Sequence, residues 1–288
     1  MANLKEIRNR ITSIKSTMQI TSAMKMVSAA KLKKAQDAIT AMRPYSSKLT
    51  ELLQNLSATL DSDTVGAYST QREVSEVLLV VVTSNRGLCG GFNSSITKQV
   101  HKNVNDKYGN VDVDLLTIGK KGSDVLSKQF NIIDSKNDIY DDLTFDNVAV
   151  IAEKLMSLYT NGSYDKIEVI YNQFKNAATQ ITQVEQFLPI KPIEGGNTDA
   201  VISDYIFEPS KIEIIEALIP KSLKTQLYKA IRDSFASEHG ARMTAMHKAT
   251  DNATELRDEL LLTYNKARQA AITNEILEIV GGAEALNN

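Results

Sequence analysis

The residues most suggestive of chemistry lie in one short segment, TSNRGLCGGFN at 83–93, which follows the apolar run VLLVVV. A buried strand, a glycine-rich turn and a helix is an arrangement in which proteins bind phosphate groups. The segment also contains Cys89, the only cysteine of the chain, and a cysteine thiolate can act as a nucleophile. A phosphate-binding loop and a cysteine nucleophile are therefore the two kinds of site to weigh.

Neither pattern is complete. A Walker loop requires Lys and Ser/Thr after its second glycine, but Gly90-Gly91 is followed by Phe-Asn. A dinucleotide fingerprint requires G-x-G-x-x-G, and residues 87–92 read GLCGGF. A cysteine nucleophile needs a neighbouring base, and the segment contains no histidine. We interpret the segment as a tight strand-to-helix turn with glycine where φ must be positive.

The remaining candidates for chemistry are weak. His239 and His247 are eight residues apart, too far for a paired metal site on a helix, and the third histidine, His101, is distant in sequence. The acidic segment DIYDDLTFD at 138–146 lacks the spacing of a calcium loop. One cysteine excludes an internal disulfide and a cysteine-ligated zinc site. We therefore predict no catalytic residues, no cofactor and no metal.

Composition favours long helices over a turn-rich fold. The 288 residues are 42% hydrophobic and 24% charged, with 13 Gly and 5 Pro. No apolar run is long enough to cross a bilayer, so membrane contact is expected only through partners. Residues 1–60 carry ten Lys/Arg against three Asp/Glu, a net charge of +7. This basic segment could contact an acidic partner or nucleic acid, or could simply be a solvated helix face.

Apolar residues recur at alternating spacings of three and four through the first sixty residues, which is the pattern of a coiled coil. The seam positions are Leu4, Ile7, Ile11, Ile14, Met18, Thr21, Leu32, Ala35, Ile39, Met42, Leu49, Leu53, Leu56 and Leu60, and its interruptions are Thr21, Lys25, Ser28 and Ser46. Pro44 is expected to bend or break the helix near Arg43, because proline removes a backbone donor and clashes with the preceding turn.

The segment 208–286 predicts a second long helix, since it contains no proline beyond Pro220. Its seam is rich in alanine, so that a partner helix can approach closely: Met246, Ala249, Ala253, Leu256, Leu260, Thr263, Ala267, Ala270 and Leu277. Gly281-Gly282 is expected to end the helix, because glycine readily forms a left-handed cap.

Strands and helices alternate between these two segments. Strands are predicted at VSEVLLVVVTS, VDVDLLTIG, KIEVIYNQF and ITQVEQFLPI, and helices at SSITKQVHKNVNDKY, KKGSDVLSKQ and NVAVIAEKLMSLYTNG. This alternation predicts a mainly parallel sheet covered by helices, with the final two strands as an antiparallel addition. Residues 189–200 are expected to form a linker.

The predicted fold is a mixed α+β and α/β architecture. Helices 1–60 and 208–286 pair as a long antiparallel two-helix coiled coil, because each alone would expose its seam. A Rossmann-like α/β domain at 74–190 is inserted between them and supplies the reversal of direction.

Two apolar features do not fit a simple helix pair. Met24 lies off the predicted seam and is expected to face outward. Ile272, Ile276, Ile279 and Val280 lie off the Ala/Leu seam, so the last turns are apolar on more than one face. A helix that is apolar around much of its circumference is normally buried. We therefore expect the C-terminal end to fit inside a partner.

The sequence resembles the gamma subunits of F-type ATP synthases, of the bacterial type. The resemblance rests on IRNRITSIKSTMQITSAMKMVSAAKLKKAQ at 7–36, SNRGLCGGFN at 84–93, SEHGARMTAMHKATDNA at 237–253 and YNKARQAAITNEILEIVGGAEA at 264–285. These four motifs cover both ends and the middle of the chain. Gly240 is a departure, since the family more often has alanine there, and it is expected to loosen the helix slightly.

The resemblance implies a central rotor stalk without an active site of its own. One copy would rotate inside a hexameric head of alpha and beta subunits and would couple proton flow through the membrane c ring to ATP synthesis or hydrolysis in the beta subunits. The α/β domain would sit at the foot with the epsilon subunit and the c ring. The implied location is peripheral, on the cytoplasmic face of the bacterial plasma (inner) membrane.

The resemblance also implies roles for individual residues. A beta-subunit loop would be contacted by Arg268, Gln269 and Thr273. Coupling or bearing roles would belong to Met24, Arg242, Glu275, Ile276, Leu277, Glu278 and Val280. Tyr205 would face epsilon or the c ring.

Two other classes of function remain open from the residues alone. One is an α/β nucleotide-binding enzyme with coiled-coil arms, which predicts nucleotide affinity of the isolated chain. The other is a coiled-coil adaptor or nucleic-acid binder that uses the basic first helix, which predicts strongly salt-dependent binding.

Overall fold

The computed structural model describes residues 4–57, 68, 70–109, 111–190 and 211–286. In chain order, one long helix precedes a region of strands and shorter helices and a second long helix follows it, as the sequence predicts. The elements are α1 (Leu4–Ser57), β1 (Glu76–Val82), α2 (Phe92–Lys107), β2 (Asp112–Ile118), α3 (Lys120–Leu126), β3 (Asn131–Lys136), a 3-10 turn (Asp138–Tyr140), α4 (Phe145–Thr160), β4 (Lys166–Phe174), β5 (Gln180–Leu188) and α5 (Lys211–Leu286).

The chain divides into two compact units, and α1 and α5 contribute to both. The coil unit comprises Met1–Ser28 and Met243–Asn288, and the sheet unit comprises Ala29–Arg242. The fold class is confirmed: two long terminal helices accompany a Rossmann-like sheet.

The sheet has the order β3-β2-β1-β4-β5. The strands β1 to β4 are parallel, and β5 pairs with β4 in antiparallel orientation. Only the last strand is therefore the antiparallel addition, and the prediction that β4 shares that role is wrong. Strand β3 was not predicted. Its sequence, NIIDSK, is an edge strand of mixed polarity, so the alternation and apolar runs that identify strands are weak there.

The sheet is covered on both faces. On one face, α4 and the first part of α5 pack against the residues of β1 that alternate through Leu78, Val80 and Val82. On the other face, α2 and α3 pack against Val77, Leu79 and Val81. Because successive strand residues point to opposite faces, a strand that is apolar at every position is buried on both sides, as the run VLLVVV predicts.

The predicted seam of α1 is confirmed for the described side chains. Burial follows the three-four spacing through Ile7, Ile11, Leu32, Ala35, Ile39 and Leu49, and the polar interruptions Thr21 and Ser28 are buried in the same register. Leu60 lies outside the described residues, and the side chains at 53 and 56 are not described. The helix runs through Pro44 to Ser57, so the predicted break is absent, since proline removes only one donor from the hydrogen-bond ladder.

In the coil unit the two helices are antiparallel, and three side-chain contacts set their register. The hydroxyls of Thr21 and Thr250 are 2.8 Å apart. Toward the N-terminus of α1, the Thr254 hydroxyl lies 3.4 Å from the Met18 sulfur. Further along, Arg8 donates to the Tyr264 hydroxyl at 3.2 Å. Partner numbers fall on one helix as they rise on the other, as antiparallel pairing requires.

The predicted seam of α5 is only half right. Met246 is buried and Ala249, Ala253, Leu260 and Ala267 are half-buried, but Leu256, Thr263, Ala270 and Leu277 are exposed. The places of Leu256 and Thr263 are taken by residues one position later, Arg257 and Tyr264, which are half-buried. Long amphipathic side chains can cover an apolar seam with their stems and rings while their polar ends stay accessible. Hydropathy alone therefore misplaced these turns.

The helix α5 continues through Gly281-Gly282 to Leu286. The prediction that the glycine pair ends the helix is wrong. Neither glycine has a positive φ, and no atom lies within 4 Å of a Cβ built at either position. Glycine inside an exposed helix costs about 1 kcal/mol relative to alanine, which weakens a helix without ending it.

Gly240 has a packing role that its helix propensity does not reveal. A Cβ at this position would lie 3.2 Å from both Cα and O of Ala177. We expect Gly240→Ala to lower the free energy of unfolding by roughly 1–2 kcal/mol, because overpacking outweighs the propensity gain. The urea midpoint of the full chain measures this. Gly281→Ala is the control, and it should leave the midpoint unchanged or raise it. A midpoint for Gly240→Ala at or above that of the parent chain would contradict the packing role.

Candidate functional site

The segment TSNRGLCGGFN occupies the position at which doubly wound sheets bind ligands. Such sheets bind at the carboxyl ends of parallel strands, where the strand order reverses. Here α2 and α3 cover one face and α4 covers the other, so the order reverses between β1 and β4. The segment follows β1, and residues 175–179 follow β4. The space between these two loops is called the crevice below.

The crevice is filled by three successive residues of α5. Gly240 lies against Ala177 in the loop after β4, so closely that a Cβ would be crowded. Ala241 packs with Cys89 and Phe92 after β1. Arg242 follows directly and reaches the loop after β1. A long helix of the chain itself therefore lies where a doubly wound enzyme would hold a ligand.

Arg242 is 7% exposed and uses both ends of its guanidinium group. Its Nη2 donates to the backbone oxygens of Arg86 at 3.0 Å and Gly87 at 3.3 Å. Its Nη1 lies 2.7 Å from Oε1 of Glu238, one helical turn earlier. Burial raises the pKa of the Glu238 carboxyl, while Arg242 and then Lys31 oppose the rise. The arginine charge thus compensates a carboxylate in a water-poor site.

The loop itself is the tight turn that the sequence predicts. Gly90 has φ of 59°, and the neighbouring Leu88, with φ of 62°, also lies in the left-handed region. Side chains at its two ends brace it: Asn93 Nδ2 donates to Ser84 Oγ at 2.8 Å, and the Ser84 backbone N donates to Asn93 Oδ1 at 3.1 Å. Leu88 is 65% exposed, so an apolar side chain on a strained backbone lies at the surface of the loop.

Cys89 does not have the surroundings of a nucleophile. Its side chain is buried, and burial raises the pKa of the thiol. Asn93 Nδ2 donates to its sulfur at 3.2 Å, and Ser84 Oγ lies 3.7 Å away. Burial has the largest effect on the pKa of the thiol, and the charges of Arg242 and Glu238 act on it in opposite directions. A buried thiol with a raised pKa is a packing residue, since the thiolate is the reactive form.

The two C-terminal histidines lie in different units. His239 belongs to the sheet unit and His247 to the coil unit, where its ring is 3.1 Å from Asp251. Within the described parts of the chain, no three His, Cys, Asp or Glu residues are grouped as a metal site would require.

His239 is a buried neutral imidazole. Its ring meets Phe235 edge-on at 4.5 Å, and its Nδ1 is 3.4 Å from Nη1 of Arg242. Burial, followed by the positive charges of Arg242 and Lys31, lowers the pKa of His239 to about 3. The imidazole therefore stays uncharged at neutral pH.

The second candidate surface is the helical tip, residues 268–283 of α5. Every residue of the tip is exposed. Its large apolar side chains are Ile272, Ile276, Leu277, Ile279 and Val280. At 100° per residue these five cover about half of the helix circumference. They form one broad apolar face, which also includes the positions of Gln269 and Thr273, whereas Glu275 and Glu278 lie on the other side.

The tip contains most of the residues singled out by sequence. Arg268, Gln269 and Thr273 are exposed, as are Glu275 and Glu278. In the coil unit, Arg8 of α1 donates to the Tyr264 hydroxyl of α5, four residues before the tip begins. A partner could therefore reach the whole circumference of the tip.

The other predicted residues have different surroundings. Met24 is half-buried, so it is neither a buried seam residue nor fully exposed. It lies between the two seam positions Thr21 and Ser28, and its backbone oxygen accepts a bond from the Ser28 hydroxyl at 2.7 Å. Tyr205 lies outside the described residues. Sequence reasoning also missed the packing role of Gly240 and the contact of Arg242 with the loop, although SNRGLCGGFN and SEHGAR both stand out as motifs.

No helix in the described part of the chain combines the length and apolar character that a bilayer span requires.

The chain is similar to known proteins over its whole length. Residues 3–286 match the model of a family described as ATP synthase. The ATP synthase gamma chain of Flavobacterium johnsoniae is 73% identical over 287 residues, covering 100% of both chains. That of Geobacter sp. is 46% identical and covers 99% of both.

Solved structures have the same architecture. A chain of the central stalk and c ring of the Tetrahymena thermophila mitochondrial ATP synthase is 28% identical, with a TM-score of 0.61, covering 80% of this chain and 99% of that one. A chain of the Euglena gracilis mitochondrial ATP synthase has a TM-score of 0.71 at 22% identity, covering 98% and 94%.

His239 predicts a loss of stability in mild acid. In the unfolded chain a histidine binds a proton near its ordinary pKa of 6.5, but folded His239 does so only near 3. Between these two pH values the unfolded state therefore binds more protons than the folded state. The contribution of neutral, buried His239 to stability is complete above pH 6.5 and is lost as the pH falls toward 3. We expect the free energy of unfolding to fall by up to about 1.4 kcal/mol per pH unit.

Urea unfolding of the full chain at about pH 7 and about pH 5 measures this fall. His239→Gln should remove most of it, and His247→Gln, at an exposed position, should retain it. An equal fall in the His239→Gln chain would exclude this histidine as its cause.

Proposed function

The chain belongs to the ATP synthase gamma chain family, and from that premise we propose that it is the central rotor stalk of an F-type ATP synthase. It has no active site of its own. It turns inside the hexamer of alpha and beta subunits and couples proton flow through the c ring to ATP synthesis or hydrolysis in the beta subunits. The single observation that carries the proposal is the exposed helical tip at 268–283.

The tip is suited to a bearing inside a sleeve of other subunits. Contiguous exposed apolar surface marks an interaction site, and this one is built on a continuous helix. Apolar contact is non-directional, so an apolar face can slide past successive partners without fixed hydrogen bonds that would stop rotation. We propose this bearing role for Ile276, Leu277 and Val280.

Polar groups on the tip would contact the beta subunits differently at each rotary position. A rotor shifts the nucleotide affinity of a subunit only if it contacts that subunit differently in different states. We propose that Arg268, Gln269 and Thr273 bind a loop of one beta subunit in some rotary positions, since the arginine fork can bind a carboxylate with two bonds. Glu275 and Glu278 would lie at the same interface. The apolar face and the carboxylates of Glu275 and Glu278 on the opposite side make the shaft asymmetric, as three different subunit states require.

The sheet unit would form the foot, in contact with epsilon and the c ring. Tyr205 is proposed to face these partners. The complex would lie on the cytoplasmic face of the bacterial plasma membrane, to which this chain would be attached through partners only.

The two other classes of function are less well supported. The nucleotide-binding enzyme requires an open crevice, but Gly240 and Ala241 occupy the crevice here. The adaptor or nucleic-acid binder uses the basic α1 and gives the apolar tip no role.

Substitutions at two exposed aliphatic residues test the bearing. Ile276 on the tip and Val150 on α4 are 55% and 66% exposed, so lysine at either position should leave the isolated chain folded. In the complex reconstituted with alpha and beta subunits, Ile276→Lys should lower ATP hydrolysis by roughly tenfold, because a charge would enter an apolar contact. Val150→Lys should not.

Truncation before Lys266 is the stronger version of this test. It should leave the chain able to join the hexamer through its remaining helices but should weaken activity or coupling. Equal activity of the truncated and full chains would exclude the tip as the bearing, and failure of the full chain to assemble would favour the adaptor.

Met24 provides a test of coupling. Met24→Lys would add a charge that contacts the head, and we expect it to reduce roughly twofold the ions pumped per ATP hydrolysed while hydrolysis continues, since a single new charge contact can be worth several kcal/mol. Proton pumping and hydrolysis are measured together in reconstituted vesicles. Met26→Lys, at a more exposed position two residues away, is the control. An unchanged pumping ratio in Met24→Lys would contradict the coupling role.

A further inference from the structure

We infer that Arg242 is a positioning residue that latches the loop after β1 to α5, so that the sheet and the helix turn as one body. The inference rests on the proposed rotor function and assigns a cause to the coupling role of this position. It places that cause inside the chain, in a buried contact between the helix and its own sheet.

The latch is built from the two ends of one guanidinium group. Nη2 binds the oxygens of two successive loop residues, Arg86 and Gly87, and Nη1 binds Glu238. A planar group with donors on both ends can hold a loop and a carboxylate at once, which a lysine ammonium on a flexible stem cannot reproduce in the same geometry. Hydrogen bonds from a charged donor are about twice as strong as neutral ones.

The latch bonds join this part of the loop to α5. Other bonds at 84–93 join the loop to itself or to other parts of the sheet unit: Ser84 Oγ donates to Arg86 O at 2.7 Å, Asn93 donates to Ser84 and Cys89, and Asn85 Nδ2 donates to Asn137 O at 2.6 Å. These bonds give the loop its shape. The bonds from Arg242 tie that shape to the helix.

The location gives the latch mechanical value. Gly240 and Ala241 are small residues that pack closely in the crevice. At the next residue, Arg242 adds directional, charged hydrogen bonds to the loop. Torque that passes between α5 and the sheet at this edge would load these bonds.

Cys89 is a reporter placed at the latch. It is 2% exposed and packs against Ala241, the residue before Arg242. Opening of the loop would uncover its sulfur, and no other cysteine in the chain would contribute to labelling. The labelling rate of the full chain under native conditions therefore measures how often the latch opens.

The test compares variants of two arginines on the same helix. Arg242→Gln removes the latch, and Glu238→Gln/Arg242→Gln removes it without leaving an unpaired buried carboxylate. Arg232→Gln is the matched control, because Arg232 Nη2 also donates to a backbone oxygen, that of Leu143, at 2.6 Å. Arg242→Lys retains the charge without the fork.

We expect maleimide labelling of Cys89 to accelerate at least about tenfold in both chains that lack the latch, since loss of a charged hydrogen bond shifts a local equilibrium by roughly this factor. Arg232→Gln should label at the parent rate, and Arg242→Lys should fall between. An unchanged rate in the double variant, or an equal acceleration in Arg232→Gln, would overturn the latch.

The second part of the test measures coupling, as ions pumped per ATP hydrolysed, in the complex assembled in vesicles. The double variant should pump fewer ions per ATP hydrolysed, while Arg232→Gln should pump at the parent ratio. If Cys89 opens but the ratio is unchanged, the latch has no part in coupling and this inference is wrong, whereas the rotor function stands. If the parent chain does not assemble with alpha and beta subunits, the rotor function fails instead.

Discussion

The structure depends on the close approach of one helix to the carboxyl edge of the sheet. At Gly240 the helix α5 comes so near to Ala177 that a single Cβ would be crowded. Small residues at 240 and 241 permit this approach, and Arg242 fixes it with bonds to the loop after β1. Van der Waals packing supplies the fit, and the arginine supplies direction, because hydrogen bonds depend on angle whereas apolar contacts do not.

Along α5 the surroundings change in three steps, and the sequence reveals some of these steps more clearly than others. Nearly every residue between 223 and 242 is buried or half-buried, one side is covered from 243 to 267, and nothing within the described chain covers the tip. A helix buried on all sides needs small and polar residues that fit their neighbours, such as Ser234 and Ser237, so hydropathy does not identify it. The exposed tip is recognisable because its large aliphatic residues exceed what one seam requires.

Prediction from sequence was most successful where one physical effect dominates. The run VLLVVV predicts a strand buried on both faces, and the three-four spacing of α1 predicts its seam even through Thr21 and Ser28. It failed where two effects compete. In the seam of α5, Arg257 takes the place of the exposed Leu256. At Gly281 and Pro44 the helix continues through a residue that disfavours helix formation. The partners of Arg242 were unpredictable because the contact joins residues 155 and 156 positions apart.

The glycine-rich segment shows why a motif must be judged by what occupies it. TSNRGLCGGFN lies at the switch point of a doubly wound sheet, where other proteins of this architecture bind ligands. Its glycine supplies a positive φ and its carbonyls are turned outward, as in a ligand site, but the group they bind is the side chain of Arg242. The loop thus has the geometry of a binding site and holds part of the same chain. A rigid joint between a sheet and a long helix needs the same features as a binding site, namely a concave edge, accessible backbone groups and a complementary charge, so the joint naturally forms there.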